Sequence, residues 1–230
     1  MFTGIIEAIG TLSQITTEGT NTHFYFSSSL YSELKVDQSL AHDGVCLTVV
    51  EITSDGYRVT AIDETLQKTN LSSWKVGKKV NLERCMAANG RFDGHIVQGH
   101  VDQIGTIQRI VDQDGSWLVD VSYDASLGNV TVEKGSITLN GTSLTCFNSA
   151  PGAFSVAIIP YTYEFTNFHE LKWTAKRNLP KTLGPKNTNL PGLPLIRKLS
   201  LKLETIERTM NKRQHFKVGC KKFALVARSN

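Results

Sequence analysis

The sequence predicts an all-β protein made of two homologous six-stranded antiparallel β-barrels, followed by a C-terminal helical tail. Three observations predict this organisation: an internal repeat, short apolar runs of strand composition, and a change of charge near Leu171. With 230 residues, 40% of them hydrophobic, the chain is long enough for two small cores. We place the first barrel at residues 1–94, the second at residues 95–189 and the tail at residues 190–230.

The repeat is clearest where HDGVCLTV around Cys46 matches LNGTSLTC around Ser143, at an offset of 143 − 46 = 97 residues. Identical pairs at this offset are Gly44/Gly141, Leu47/Leu144, Thr48/Thr145, Thr65/Thr162, Asn70/Asn167, Asn81/Asn178 and Leu82/Leu179. Upstream, GIIEAIGTL at Gly4 matches GHVDQIGTI at Gly99 with an offset of 95, which indicates a two-residue insertion or deletion. An offset shared over so long a stretch indicates a duplicated domain.

Each copy contains short runs rich in Val, Ile, Thr, Phe and Tyr, separated by Gly, Asn and Asp about every 8–12 residues, which is typical of all-β domains. Examples of the predicted strand regions, of which each copy has about six, are Ser39–Ile52, Tyr57–Ile62, Val76–Leu82, Ser116–Ser122, Ser136–Phe147 and Phe154–Ile159. The turns AHDG, TSDG, LNG and APG supply residues that tolerate positive φ. Because closing each sheet removes its exposed edges, we predict two barrels.

The tail differs from the rest of the chain in charge. Residues 1–171 carry 10 Lys and Arg against 19 Asp and Glu, a net charge of −9, whereas residues 172–230 carry 15 against 2, a net charge of +13. After Pro194, apolar residues recur at steps of three and four: Ile196, Leu199, Leu203, Ile206 and Met210. This spacing predicts a helix near residues 195–212 through which copies of the chain associate.

Several classes of protein are disfavoured. The N-terminus MFTGIIEAIG has neither a basic flank nor a long apolar run, and no stretch reaches the length of a membrane span, so we expect a cytoplasmic protein without a membrane partner. Cys46, Cys85, Cys146 and Cys220 lack the spacing of a zinc site or a disulfide framework, so we expect free thiols and no metal. The basic tail lacks aromatic interleaving, which favours a solvated surface over a nucleic-acid partner.

The chain resembles the riboflavin synthase family in the order and spacing of motifs across residues 1–171: MFTGIIEAIGT, DGVCLTV, ETLQKTNL, VNLER, DGHIVQGHVD, VEKGSITLNGTSLT and IPYT. The resemblance implies a transferase that moves a four-carbon unit between two molecules of 6,7-dimethyl-8-ribityllumazine. The products are riboflavin and 5-amino-6-ribitylamino-pyrimidinedione, and no metal, flavin or nicotinamide cofactor is needed. The resemblance also implies a homotrimer, with each working site between the N-terminal barrel of one subunit and the C-terminal barrel of another, and an association with lumazine synthase.

By motif matching, the resemblance implies that Cys46, His100 and Ser143 are catalytic. The N-terminal pocket is expected to use Gly4, Ile5, Ile6, Cys46, Leu47, Thr48, Thr60, Ala61, Ile62, Asp63, Glu64 and Thr65. The C-terminal pocket is expected to use Gly99, His100, Val101, Lys134, Thr142, Ser143, Leu144, Thr145, Ala157, Ile158, Ile159, Pro160, Tyr161 and Thr162. Since His100 stands where the first copy has Ile5, and Ser143 where it has Cys46, the pockets can take unequal donor and acceptor roles.

Simpler interpretations stand beside these. Cys46 and Ser143 could be small packing residues, and only the resemblance makes Lys134 more than an exposed lysine. The remaining histidines are expected to be structural or at the surface: His23, His42, His95, His169 and His215. Thr69 and Thr166 are expected in strands. Pro180 and Thr182 stand where the family usually has carboxylates.

Two other functions are compatible with the sequence. One is a non-catalytic lumazine or flavin carrier of the same fold, which substrate turnover would distinguish from an enzyme. Retention of Cys46, His100 and Ser143 together favours the enzyme. The other is a basic β-barrel nucleic-acid-binding protein, which strongly salt-dependent binding of RNA or DNA would reveal.

Overall fold

Both predicted barrels are present in the computed structural model, which describes residues 1–171 and 193–196. The strands of the first barrel are β1 (Ala8–Glu18), β2 (Asn21–Ser27), β3 (Ser39–His42), β4 (Val45–Ile52), β5 (Tyr57–Ala61) and β6 (Lys79–Arg84). They close in the order β1-β2-β5-β4-β3-β6, with antiparallel pairing throughout. Alternate residues point inward because a strand is pleated, and the resulting core includes Leu12, Phe24, Val59 and Leu82.

The second barrel repeats this topology. Its strands are β7 (Gln103–Asp112), β8 (Trp117–Ser122), β9 (Ser136–Leu139), β10 (Thr142–Ala150), β11 (Ala153–Ile158) and β12 (Leu193–Ile196). The closed order β7-β8-β11-β10-β9-β12 matches the first barrel strand for strand. Its core includes Val119, Leu139, Phe154 and Val156. The duplication inferred from the sequence is therefore confirmed in the fold.

The last strand corrects the prediction for the start of the tail. Leu195 pairs with Gln103 of β7 and with Leu139 of β9, so residues 195 and 196 are strand and not the beginning of a helix. The second barrel accordingly extends beyond residue 189. The physical reason is that the gap between β7 and β9 exposes backbone groups that need a partner, and an extended apolar segment supplies it. The rest of the predicted helix, residues 197–212, lies outside the described residues.

Two short helices follow equivalent strands: α1 (Asp63–Lys68) after β5, and α2 (Pro160–Phe165) after β11. Thr69 and Thr166, which were expected in strands, instead end these helices. Their hydroxyls donate to the carbonyls of Thr65 and Thr162 at 2.6 and 2.5 Å, the local backbone bonding that threonine favours at a helix end. Within the described part of the chain, no helix has the length and apolar character that crossing a membrane requires.

Four buried polar residues join the barrels: Asp43 and Asn81 of the first repeat, and Asn140 and Asn167 of the second. Oδ1 of Asp43 accepts from the Asn81 N–H and from the Asn167 side-chain amide, both at 2.8 Å. The Asn81 amide donates to the Asn140 carbonyl at 2.8 Å, and its oxygen accepts from the Asn167 N–H at 2.7 Å. The Lys78 ammonium lies 3.3 Å from Oδ2 of Asp43. Oδ1 of Asn140 has no hydrogen-bond partner among the described residues, but the bonds that cross between the two repeats fix how the barrels meet.

The cores differ at a matched pair of positions. In the first barrel, Nε2 of His42 lies 3.0 Å from the Tyr57 hydroxyl, and both residues are buried. The repeat places Leu139 and Phe154 at the same positions of the second core. Burial lowers the pKa of His42 to about 3, so its imidazole is neutral in the folded protein.

Replacing Asn81 with Ala should lower the free energy of unfolding by about 2–4 kcal/mol, because buried groups of three partners would lose their hydrogen bonds. Urea unfolding measures this loss. The matched control is Asn89→Ala at an exposed position, which should change stability by less than about 0.5 kcal/mol. Equal effects of the two substitutions would mean that the network does not hold the barrels together.

The double variant His42→Leu/Tyr57→Phe, which gives the first core the residues of the second, should be less sensitive to acid. The pKa of His42 is about 3 in the folded chain against an ordinary value of 6.5. Above about pH 6.5 the histidine is therefore neutral in both the folded and the unfolded chain, and it does not change the free energy of unfolding. Below that pH the histidine is protonated in the unfolded chain but stays neutral in the folded chain, so the folded chain loses stability. Between about pH 7 and pH 4.5 the wild type should lose about 3 kcal/mol of stability that the variant retains. Parallel pH profiles in urea unfolding would contradict this assignment.

Candidate functional site

Two short segments cross between the barrels beside the predicted site residues. We name residues 2–5 the first strap and residues 97–101 the second strap. The straps pair with each other, because the Phe2 N–H donates to the Val97 carbonyl at 2.7 Å and the Val97 N–H donates to the Phe2 carbonyl at 2.9 Å. Both residues are buried, so this contact lies in the interior.

Each strap then bonds to the barrel of the other repeat. The Gly4 carbonyl accepts from the Ser143 N–H at 2.7 Å, and the Gly99 carbonyl accepts from the Cys46 N–H at 2.9 Å. The grouping predicted from the sequence, Gly4 with Cys46 and Gly99 with Ser143, is therefore wrong. Similarity between copies identifies equivalent residues, but it does not say to which barrel a connecting segment crosses. We name Cys46 with the second strap the first-barrel site, and Ser143 with the first strap the second-barrel site.

Glycine is required where the straps touch the strands. Gly4 and Gly99 have φ values of +79° and +83°, which favour glycine. A Cβ at Gly4 would lie 2.7 Å from Cβ of Ser143, and a Cβ at Gly99 would lie 2.7 Å from Cβ of Cys46. The equivalent glycines found in the repeat thus allow backbone and strand to approach closely.

At these sites β4 separates from β5, and β10 separates from β11. Pairing of β4 with β5 begins at Val49 and Val59, and pairing of β10 with β11 begins at Cys146 and Val156. Residues 45–48 and 142–145 pair with β3 and β9 on their other sides. The straps approach the open stretches, next to the ends of β5 and β11.

Side-chain direction separates the predicted binding residues. Leu47 lies in the first core and Leu144 packs against the second, so their side chains face away from the straps. Cys46 and Ser143 are half-buried on the outer faces, and Thr48 and Thr145 are exposed there. Thr142 is buried, and its hydroxyl lies 3.5 Å from the Asn81 amide, next to the polar junction.

The first-barrel site combines Cys46 with His100 and Val101. Burial raises the pKa of the Cys46 thiol, which is therefore protonated near neutral pH. A protonated thiol is a hydrogen-bonding group, which disfavours a role as thiolate nucleophile. His100 is exposed directly after Gly99, and Val101 packs against the first core.

The second-barrel site contains His95, which was expected to be structural or at the surface. Nδ1 of His95 lies 2.7 Å from the Ser143 hydroxyl, and its Nε2 lies 3.1 Å from the Thr138 hydroxyl. In the tautomer protonated at Nε2, His95 donates to Thr138 and accepts from Ser143, which makes it a base for that hydroxyl. The signal in the sequence was the dipeptide Gly-His, which occurs twice in DGHIVQGH, at residues 94–95 and 99–100.

The first strap places hydrophobic residues at the second-barrel site, whereas the second strap places a histidine at the first-barrel site. Ile5 of the strap is 43% exposed, and Ile6, which follows the strap, is half-buried. Lys134 is exposed, and its ammonium lies 5.5 Å from the Phe147 ring. The backbone N–H of Lys134 donates to the Cys146 carbonyl at 2.8 Å. The structure places Lys134 beside the far end of the open stretch of β10.

The remaining predicted residues lie at the ends of β5 and β11 and at the starts of the helices α1 and α2 that follow them. Ala61 and Ile158 are core residues, so only their backbone can meet a ligand, whereas Ile62 and Ile159 are more than half exposed. The Thr60 hydroxyl lies 2.8 Å from Nδ1 of His23. The others lie at exposed or half-buried positions: Asp63, Glu64, Thr65, Ala157, Pro160, Tyr161 and Thr162.

Comparisons with known proteins agree with the duplicated fold. Residues 3–85 and 98–180 each match the lumazine binding domain. The chain is 39% identical over 180 residues to the riboflavin synthase of Bacillus subtilis (strain 168), covering 78% of this chain and 84% of that protein. It is 39% identical over 187 residues to the riboflavin synthase of Actinobacillus pleuropneumoniae, covering 81% and 87%. The crystal structure of LumP complexed with 6,7-dimethyl-8-(1'-D-ribityl) lumazine has a similar fold, with a TM-score of 0.70 and 19% identity over 86% of this chain and 99% of LumP.

Gly99→Ala should lower the free energy of unfolding by about 2–4 kcal/mol, because it combines an unfavourable φ with a steric overlap at Cys46. Gly19→Ala is the matched control, since Gly19 also has positive φ (+60°) but no atom within 4 Å of the added Cβ. The control should cost only about 1–2 kcal/mol, the penalty for the backbone alone. Urea unfolding compares the two variants, and equal losses would show that the strap does not approach the strand closely.

Proposed function

This chain belongs to the riboflavin synthase family, and we propose that it is itself a riboflavin synthase. In this reaction one molecule of 6,7-dimethyl-8-ribityllumazine transfers a four-carbon unit to a second, giving 5-amino-6-ribitylamino-pyrimidinedione from the donor and riboflavin from the acceptor. The observation that carries the proposal is the pair of equivalent but chemically unequal sites, each completed by a strap from the other repeat. Two identical substrates call for two similar sites, and unequal side chains allow one substrate to donate and the other to accept.

The open strand stretches support binding of the lumazine ring. Its pyrimidinedione part carries N–H and C=O groups that a backbone edge can read much as one strand reads another. Residues 46–48 and 143–145 offer such an edge beside the straps, with the threonines at 48 and 145 facing outward. We assign the ribityl hydroxyls to polar groups of the helices α1 and α2, which follow β5 and β11, including Thr65 and Thr162.

The second-barrel site supports proton transfer. The methyl group at C7 of the lumazine is acidic because its carbanion is delocalised into the ring carbonyls, and a positioned base can remove its proton. Ser143 with His95 at 2.7 Å is such an acid–base pair. In the first-barrel site, Cys46 and His100 remain the proposed catalytic groups, with the protonated thiol of Cys46 as a hydrogen-bond donor to the second substrate.

We also propose the cytoplasmic homotrimer and the association with lumazine synthase that the family resemblance implies. The free thiols of Cys46, Cys85 and Cys146 agree with a reducing compartment. The exposed Ile62 and Ile159 beside the two sites agree with a neighbouring subunit there.

Purified protein given only 6,7-dimethyl-8-ribityllumazine, without metal or redox cofactor, should form one riboflavin for each two substrates consumed. Riboflavin absorbance and chromatography of both products measure the ratio. Lumazine binding without riboflavin formation would contradict the proposal and favour a carrier, which the absence of a carboxylate at Pro180 would then explain.

The same assay tests the acid–base pair. Ser143→Ala and His95→Asn should each lower kcat by about 10²-fold or more, the usual contribution of a positioned acid or base. Ser72→Ala, at an exposed position of the first repeat, is the control and should retain the wild-type rate. Unchanged kcat in both site variants would rule out this pair as the proton-transfer groups.

A further inference from the structure

A buried carboxylate of the first barrel holds the first strap. Glu83 lies on β6 and is only 5% exposed. Its carboxylate accepts from the Thr3 N–H at 2.6 Å, from the Thr3 hydroxyl at 2.8 Å and from the Gly4 N–H at 2.9 Å. Hydrogen bonds to a carboxylate are shorter and stronger than those between neutral groups, so three of them fix the path of Thr3 and Gly4.

The same two strap residues make the backbone bonds to the second-barrel site. The Thr3 carbonyl accepts from the His95 N–H at 2.9 Å, and the Gly4 carbonyl accepts from the Ser143 N–H at 2.7 Å. Glu83 therefore holds each strap residue by its N–H while the carbonyl of that residue holds His95 or Ser143. The contacts run from a carboxylate of one barrel to both members of the acid–base pair in the other.

Within the part of the chain that the structure describes, a carboxylate holds a strap in this way for the second-barrel site and not for the first-barrel site. In the second barrel β12 takes the place of β6, and Ile196 pairs with Thr138 of β9 as Glu83 pairs with Ala41 of β3. Isoleucine has no side-chain acceptor. Burial raises the pKa of Glu83, and the hydrogen bonds from Thr3 and Gly4 oppose that shift. Burying a carboxylate is costly, so its presence against the first strap, and not at the equivalent position of the second copy, indicates that this strap must be held accurately.

We propose that Glu83 is a positioning residue for the second-barrel site, acting through Thr3 and Gly4 to align the Ser143 hydroxyl with the His95 imidazole. Glu83 itself does not touch the substrate. The inference rests on the proposed function, because alignment of Ser143 and His95 matters through the chemistry assigned to them. It adds a residue of the opposite barrel to the groups on which that chemistry depends.

The first test is Glu83→Gln in the full chain. Glutamine preserves the shape of the side chain, but its amide NH2 group would face the N–H and hydroxyl donors of the strap and could not accept from all of them. We therefore expect kcat for riboflavin formation to fall at least tenfold, while KM changes less than threefold. Glu33→Gln is the matched control, since Glu33 is exposed and pairs with Arg84, the neighbour of Glu83. A kcat within twofold of wild type in Glu83→Gln, or a loss no larger than the unfolded fraction of the sample, would overturn the proposal.

A second pair of variants decides the question if Glu83→Gln does not fold. Thr3→Val removes the hydroxyl that donates to Glu83 but keeps the shape of the side chain, whereas Thr3→Ser keeps the hydroxyl. The valine variant should lose at least threefold in kcat, and the serine variant should restore the wild-type rate. Equal rates for the two would overturn the proposal.

A spectroscopic readout separates this inference from the proposed function. In protein labelled with ¹⁵N-histidine, the ring signals of His95 should shift in Glu83→Gln and Thr3→Val, while those of His42 in the first core should not. Shifted His95 signals in a protein whose wild type makes no riboflavin would support the positioning role and reject the enzyme. Unshifted signals together with wild-type turnover would reject the positioning role and leave the enzyme intact.

Discussion

The exchange of straps between the repeats is the constraint on which both candidate sites depend. Where β4 separates from β5 and β10 from β11, the N–H groups of Cys46 and Ser143 need acceptors. The carbonyls of Gly99 and Gly4, respectively, supply them from the other repeat. Neither barrel could therefore complete its site alone. The close approach leaves no room for a side chain at either glycine. The exchange of straps therefore requires glycine at these two positions as well as the hydrogen bonds.

The buried polar junction makes that exchange precise. Asp43, Asn81 and Asn167 form a network in which a shift of one barrel against the other would leave donors and acceptors unpaired. Gly141 lies so close to Gly44 that a Cβ there would be 2.8 Å from the Gly44 nitrogen, and the two turns therefore meet directly. An apolar contact could stabilise the interface equally well, but it would not define the alignment that the straps need.

Duplication followed by small differences gives the two halves unequal chemistry on one scaffold. The first-barrel site has a thiol and an exposed histidine, whereas the second has Ser143 bonded to His95. The cores diverge too, since His42 with Tyr57 occupies positions that are apolar in the second barrel. Such asymmetry suits a reaction in which two identical substrates take different parts.

The two barrels, several of their strands and the equivalence of Cys46 with Ser143 could be predicted from the sequence, because alternating apolar residues, turn residues and a constant offset are local signals. Which strap completes which site depends on the three-dimensional fold, since Gly4 and Gly99 have the same local pattern whichever barrel they contact. The fold also brings His95 to Ser143 and Glu83 to the first strap, contacts between residues 48 and about 80 positions apart. Strand β12 at 193–196 was hidden for the same reason: an apolar segment becomes a strand where a barrel edge offers it backbone partners.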